Sequence, residues 1–141
     1  MEYLLGKESR KLNVKNQVSI PAEIMAVIRA RNPSEYAKRL YLTLEYTSGV
    51  SVPFIKCFDQ LAFEKAAKDI IPASEMHAAK IDAQERIVIP RSLMDPAQLD
   101  SLDRIVIVEA CSGNEWGLTF GIYEMDNYHK MKAGQISKVP K

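Results

Sequence analysis

Apolar positions in this chain come in short runs whose period changes along its length, and each change marks a different element. Val18-Ser19-Ile20 alternates as a half-buried strand does, and Ile87-Val88-Ile89 is continuous, as a strand covered on both faces is. Ile24, Val27 and Ile28 follow at i, i+3, i+4 spacing and predict a helix over 22–30. Leu40–Tyr46 alternates again, Thr47–Gly49 reads as a turn, and Phe54–Phe58 returns as a second strand. Asp59 is placed to cap a helix that starts at Gln60 and carries Leu61, Phe63, Ala66 and Ala67. In the later part, Arg104–Glu109 predicts an outgoing strand, Ser112–Asn114 a turn, Gly117–Tyr123 a return strand, and Met125–Met131 a closing helical turn or two.

The two stretches share more than an element order. Lys11–Pro21 aligns without gaps on Lys80–Pro90, an offset of 69 residues. A lysine, an aliphatic residue, Asn or Asp, a small or β-branched residue, three polar residues, Val or Ile, a strand residue, Ile and Pro recur in order. Self-similarity at a fixed offset means that one supersecondary unit is used twice. Each copy reads as strand, tight polar turn, strand and stop. Pro21 and Pro90 lack an N–H and preset φ for the first turn of a following helix. Asp95-Pro96 cuts the helix after Pro90 short. Both halves read β-β-α-β-β-α, joined near Ile71–Ser74, which predicts one α+β domain over residues 1–141 with a repeat of 6–70 on 75–131.

With 141 residues, 47% hydrophobic and 26% charged, the chain has enough apolar mass for one sizeable core. The net charge of +1 excludes a strongly basic histone-like protein, so contact with nucleic acid has to come from local charge. Such a patch exists. Residues 1–70 carry 11 basic and 8 acidic side chains, and Lys7, Arg10, Lys11 and Lys15 cluster with only Glu8 opposing them. After Asp126 come Lys130, Lys132, Lys138 and Lys141 with no acid, which reads as a mobile basic tail over 132–141. No apolar run reaches the roughly 18–20 residues of a spanning helix, and no signal-peptide core is evident, so a cytoplasmic location is expected.

Candidate enzyme chemistry finds little support. There is no nucleophile elbow, Walker loop or zinc-protease motif. Cys57 and Cys111 lack C-x-x-C spacing and read as small buried residues, and with His77 and His129 they form no metal pattern. No cofactor or metal is expected, and the chain reads as a non-enzyme.

The doubled turn-bearing strand pair ending in Pro, each followed by helix, hairpin and helix, resembles the MraZ family. These are bacterial division and cell-wall cluster regulators built from two SpoVT/AbrB-type swapped-hairpin halves. The resemblance spans roughly residues 6–130, and Gly121–Tyr128 is similar to the family segment before its last helix. The family signature is Asp-x-Lys-Gly-Arg followed by aliphatic residues and Pro. Here the copies are Asn13-Val14-Lys15-Asn16-Gln17 and Asp82-Ala83-Gln84-Glu85-Arg86. Asn16 tolerates the left-handed backbone that the family glycine supplies and Glu85 does so poorly, which predicts a reshaped second turn.

The resemblance implies two tandem swapped-hairpin β-barrel halves with pseudo-two-fold symmetry and peripheral helices. It also implies a transcriptional regulator, associated with the nucleoid, whose partners are double-stranded DNA carrying direct repeats and further copies of the chain in a ring-like homo-oligomer. The candidate DNA-binding residues are Arg10, Lys11, Lys15, Asn16, Gln17 and Arg86, where charged donors suit phosphates and planar amides suit base edges. Two readings of Arg86 stand side by side: a DNA contact, or a local pair with Asp82 that holds its own turn. Arg29 and Arg31 read as complements to the dipole of their helix. The alternative to a regulator is a protein–protein assembly module that keeps the fold and has lost specific DNA reading.

Overall fold

Pro21 and Pro90 sit where the sequence places them, immediately before helices, at φ −55° and −58°. A computed structural model of the chain describes residues 7–32, 34–69, 76–99, 104–114 and 117–137. The first half holds β1 (Glu8–Lys11), β2 (Gln17–Ser19), α1 (Ala22–Arg31), a 3-10 turn (Tyr36–Lys38), β3 (Arg39–Tyr46), β4 (Pro53–Phe58) and α2 (Gln60–Asp69). The second holds β5 (His77–Lys80), β6 (Arg86–Val88), α3 (Arg91–Met94), β7 (Ile105–Asn114), β8 (Gly117–Glu124) and α4 (Met125–Ser137).

The strands form an open six-stranded sheet in the order β1-β7-β8-β4-β3-β5 and a separate two-stranded ribbon, β2-β6. Every pairing is antiparallel. The hydrogen-bonded ladders do not close into the expected barrels. β1 and β5 are the two edge strands, and after each of them a tight turn takes the chain out of the sheet, so β2 and β6 pair with each other instead of extending it.

Pairing crosses between the halves. β1 adds to β7, and β5 adds to β3, so each half's opening strand lies at the flank of the other half's hairpin. In the ribbon, Val18 faces Ile87, the residue 69 positions on, which puts a pseudo-dyad between them. At the sheet centre Ile55 faces Ile122 and Cys57 faces Phe120, on either side of the Lys56–Gly121 pair.

The sheet is the middle layer. On one face Leu40, Leu42, Ile55, Cys57, Val106, Val108, Phe120 and Ile122 pack against Leu12, Val18, Ile20, Ile24, Met25, Ile28, Ile87 and Ile89 from the ribbon side and α1. Each fully buried branched side chain there contributes roughly 1.5–3 kcal/mol relative to exposure. On the other face α2 covers Tyr41 and Phe58, with Tyr41 stacked on Phe63 at 3.7 Å, and α4 covers Phe54, Ile107 and Tyr123. Asp59 caps α2 through its Oδ1, which accepts the Ala62 N–H at 2.9 Å, and Glu124 caps α4 by accepting from Asn127 N–H at 2.9 Å.

Two local expectations are corrected. Residues 112–114 are strand, because Ser112, Gly113 and Asn114 pair with Thr119, Leu118 and Gly117; ladder bonds outweigh the turn preference of Gly and Asn. The segment 132–137, expected as mobile tail, is helical, since α4 continues to Ser137; residues 138–141 lie outside the described residues. What extends the helix is docking: Met131 is buried with Val52 and Phe54, and Gly134 lies so close to Val50 that an added Cβ would sit 2.2 Å from its Cγ2. Among the described residues no helix is long and apolar enough to cross a membrane.

Candidate nucleic-acid interface

Each tight turn is built around one side-chain oxygen. Asn13 Oδ1 accepts the N–H groups of Lys15 and Gln17, both at 2.9 Å, and Asp82 Oδ1 accepts those of Gln84 and Arg86, also at 2.9 Å. Main-chain bonds repeat in step: Asn13 N–H to Gln17 O at 3.2 Å matches Asp82 N–H to Arg86 O at 2.9 Å. Short side chains of this type close such turns because they reach the backbone two to four residues on. Asn16 adopts φ 61° and Glu85 φ 62°, so the second turn keeps the shape of the first and is not remodelled. A left-handed glutamate costs on the order of 1–2 kcal/mol, which the Asp82-centred bonds and an ion pair from Arg29 to the Glu85 carboxylate offset. Arg29 therefore reaches across to the other half's turn, beyond a role in its helix dipole.

The ribbon sets the spacing of the turns. Ile20 N–H bonds Glu85 O at 2.8 Å and Ile89 N–H bonds Asn16 O at 2.9 Å, so the turns stand at opposite ends of the ribbon. Four residues of strand rise separate them, about 13 Å. Val18 and Ile87 point inward, so their neighbours Gln17, Ser19, Arg86 and Val88 share the outer face.

The six candidate residues are in different states. Arg10, on β1, lies 3.4 Å from Glu8 and donates to the Ser9 carbonyl. Asn16 accepts from Arg104 at 2.6 Å through its Oδ1, and Gln17 accepts from Asn13 Nδ2 at 2.7 Å. Arg86 donates from Nε to Asp82 Oδ2 at 3.0 Å, the turn-holding pair that the sequence offers as one of its two readings. The arginine bonds hold the Asp82 carboxyl below the usual carboxylate range, the Arg86 main-chain N–H most of all. Lys11 and Lys15 are exposed, and their ammonium groups have no partner among the described residues.

The two ends therefore differ in charge. Residues 10–17 hold three cations and no acid, whereas 79–86 hold two of each. At the first turn the tied side chains Asn13, Asn16 and Gln17 are neutral, and Arg104 enters as a further cation, donating also to the Asn13 carbonyl at 2.8 Å. At the second turn Asp82 and Glu85 are each matched by an arginine. Arg104 is a residue of this turn to which the sequence does not point, since it lies 88 positions from Asn16 and reads locally as the start of an apolar strand.

Among the described residues no cluster of His, Cys, Asp or Glu could hold a metal ion. No protein-family model matches the chain, and no curated protein matches it.

Proposed function

We propose that this protein is a non-catalytic DNA-binding regulator of the MraZ-like swapped-hairpin kind, and that its first turn docks on duplex DNA. The observation that carries this reading is the uncompensated charge of the first turn: Lys11 and Lys15 are exposed without a partner among the described residues, and no acid lies between residues 10 and 17. A turn stiffened by its own hydrogen bonds holds such donors in place without losing rotamer freedom on binding, which favours phosphate contact. The strand exchange between halves and the paired left-handed residues Asn16 and Glu85 support the likeness to the swapped-hairpin fold.

Binding then falls to one turn per chain, and a single turn binds weakly. Self-association into a ring, as the likeness implies, multiplies such contacts on repeated DNA boxes. Sedimentation at micromolar concentration tests this part, and a sole monomer species removes it.

The DNA reading is tested by anisotropy titration of a fluorescent duplex at several salt concentrations. Lys15→Ala is expected to reduce the slope of log affinity against log salt by roughly 0.9, the value of one phosphate contact. Gln17→Arg is expected to tighten binding, because Asn13 Oδ1 already accepts two N–H groups and leaves the new guanidinium available to a phosphate. An unchanged slope with Lys15→Ala and no gain with Gln17→Arg puts the assembly-module reading in its place.

A further inference from the structure

The first-turn end of the ribbon carries apolar side chains that the fold does not use. Val14, at the tip beside Lys15, is 94% exposed, and Val88, facing Gln17 across the ribbon, is 51% exposed. Offset by 69 residues, the same two places at the second-turn end hold Ala83 and Ser19. Branched aliphatic side chains and uncompensated cations thus occur together at one end of the ribbon and at neither place on the other. A solvated turn gains nothing from an exposed valine, whereas a duplex offers a partner for it in the thymine C5-methyl group of the major groove. Adjacent cations favour this occupant over an apolar protein surface, which would have to desolvate Lys11 and Lys15 without providing phosphates for them.

We infer that Val14, assisted by Val88, reads thymine methyl groups and is a specificity-determining residue of the first turn. The inference rests on the DNA-binding reading above and adds to it a base preference that charge cannot supply. Lys15 fixes the turn against the backbone, and Val14 then lies against the groove floor or wall, where one excluded methyl is worth about a four-fold change in affinity.

The test begins with selection of bound duplexes from a randomised library by the full-length chain, followed by replacement of each thymine by deoxyuridine. Deoxyuridine pairs as thymine does and lacks only the C5-methyl. At one or two positions the replacement is expected to weaken the wild-type protein about four-fold. Val14→Ala is expected to weaken binding to the thymine duplex by a similar factor and to be indifferent to deoxyuridine at one of those positions. Val14 makes no core contact, so this variant should retain wild-type thermal stability, and a circular dichroism melt checks that it does. Duplex binding that is insensitive to deoxyuridine, or a deoxyuridine penalty that persists at every position in Val14→Ala, overturns this inference and leaves the DNA reading standing. Absence of binding to any duplex removes both.

Discussion

Arg104 donates to Asn16 Oδ1 at 2.6 Å and to the Asn13 carbonyl at 2.8 Å, so a residue of the second half fixes the turn of the first. The converse tie runs from Arg29 of the first half to Glu85 of the second. The left-handed residue of each tight turn is held by an arginine from the opposite repeat. Arg104→Ala is expected to destabilise the protein by about 1–2 kcal/mol and also to weaken DNA binding, because it removes a charge-assisted tie together with a cation. Lys15→Ala should weaken binding alone. Urea unfolding of the two variants beside their binding isotherms separates the effects.

The side chains of the Asp82–Arg86 pair are each about a third exposed, so solvent screens the pair and its contribution to stability is small. Arg86→Ala is expected to cost little stability and to change the salt slope less than Lys15→Ala does. Asp82 has a folded value below its unfolded one. Its tie is therefore present at neutral pH and is lost as pH falls through the carboxylate range. Following the Gln84 and Arg86 amide resonances during acid titration checks this, and Asp82→Asn should remove the pH dependence.

Tyr128 is buried, stands edge-on to Tyr123, and donates its hydroxyl to Glu109 at 2.6 Å, while Lys132 meets the same carboxylate at 3.3 Å. Burial first, and the Glu109 carboxylate second, raise the phenol well above the ordinary tyrosine range. A raised folded value means that this stabilisation is complete below the unfolded tyrosine value and is lost as pH rises above it. Thermal melts at increasing pH should show stability falling from about pH 10, with Tyr128→Phe removing that part of the fall.

Gly134 should resist substitution although it lies in a helix. Alanine there gains about 1 kcal/mol of helix propensity, but its Cβ would press on the branched side chain of Val50. The expected net result for Gly134→Ala is a loss of about 1–2 kcal/mol, as overpacking costs. Val50→Gly should recover most of it in the double variant, and a denaturant double-mutant cycle reads the coupling.

Much of this architecture is legible in the residues, for reasons that are local. The 69-residue offset exposes the repeated turns, the i, i+3, i+4 spacing of Ile24, Val27 and Ile28 gives α1, and Asp59 gives the start of α2. Periodicity carries no information about partners, however. Nothing in Glu8–Lys11 says that it pairs with Ile105–Val108 of the other half, and nothing near Arg104 points to Asn16. Glu85 misleads because its intrinsic preference is overridden by bonds to Asp82 and Arg29. The charged end of the ribbon is visible in composition, but which cations remain unmatched depends on tertiary contacts.

The facing of Val18 on Ile87 has a consequence for how this molecule can change over generations. Two separate copies of one half, joined by the same pairing, would be bound to carry identical turns, and any substitution would strike both. Covalent fusion lifts that constraint. One turn can keep its cations while the other trades them for internal ion pairs, so a symmetric scaffold becomes a polar object with a front and a back.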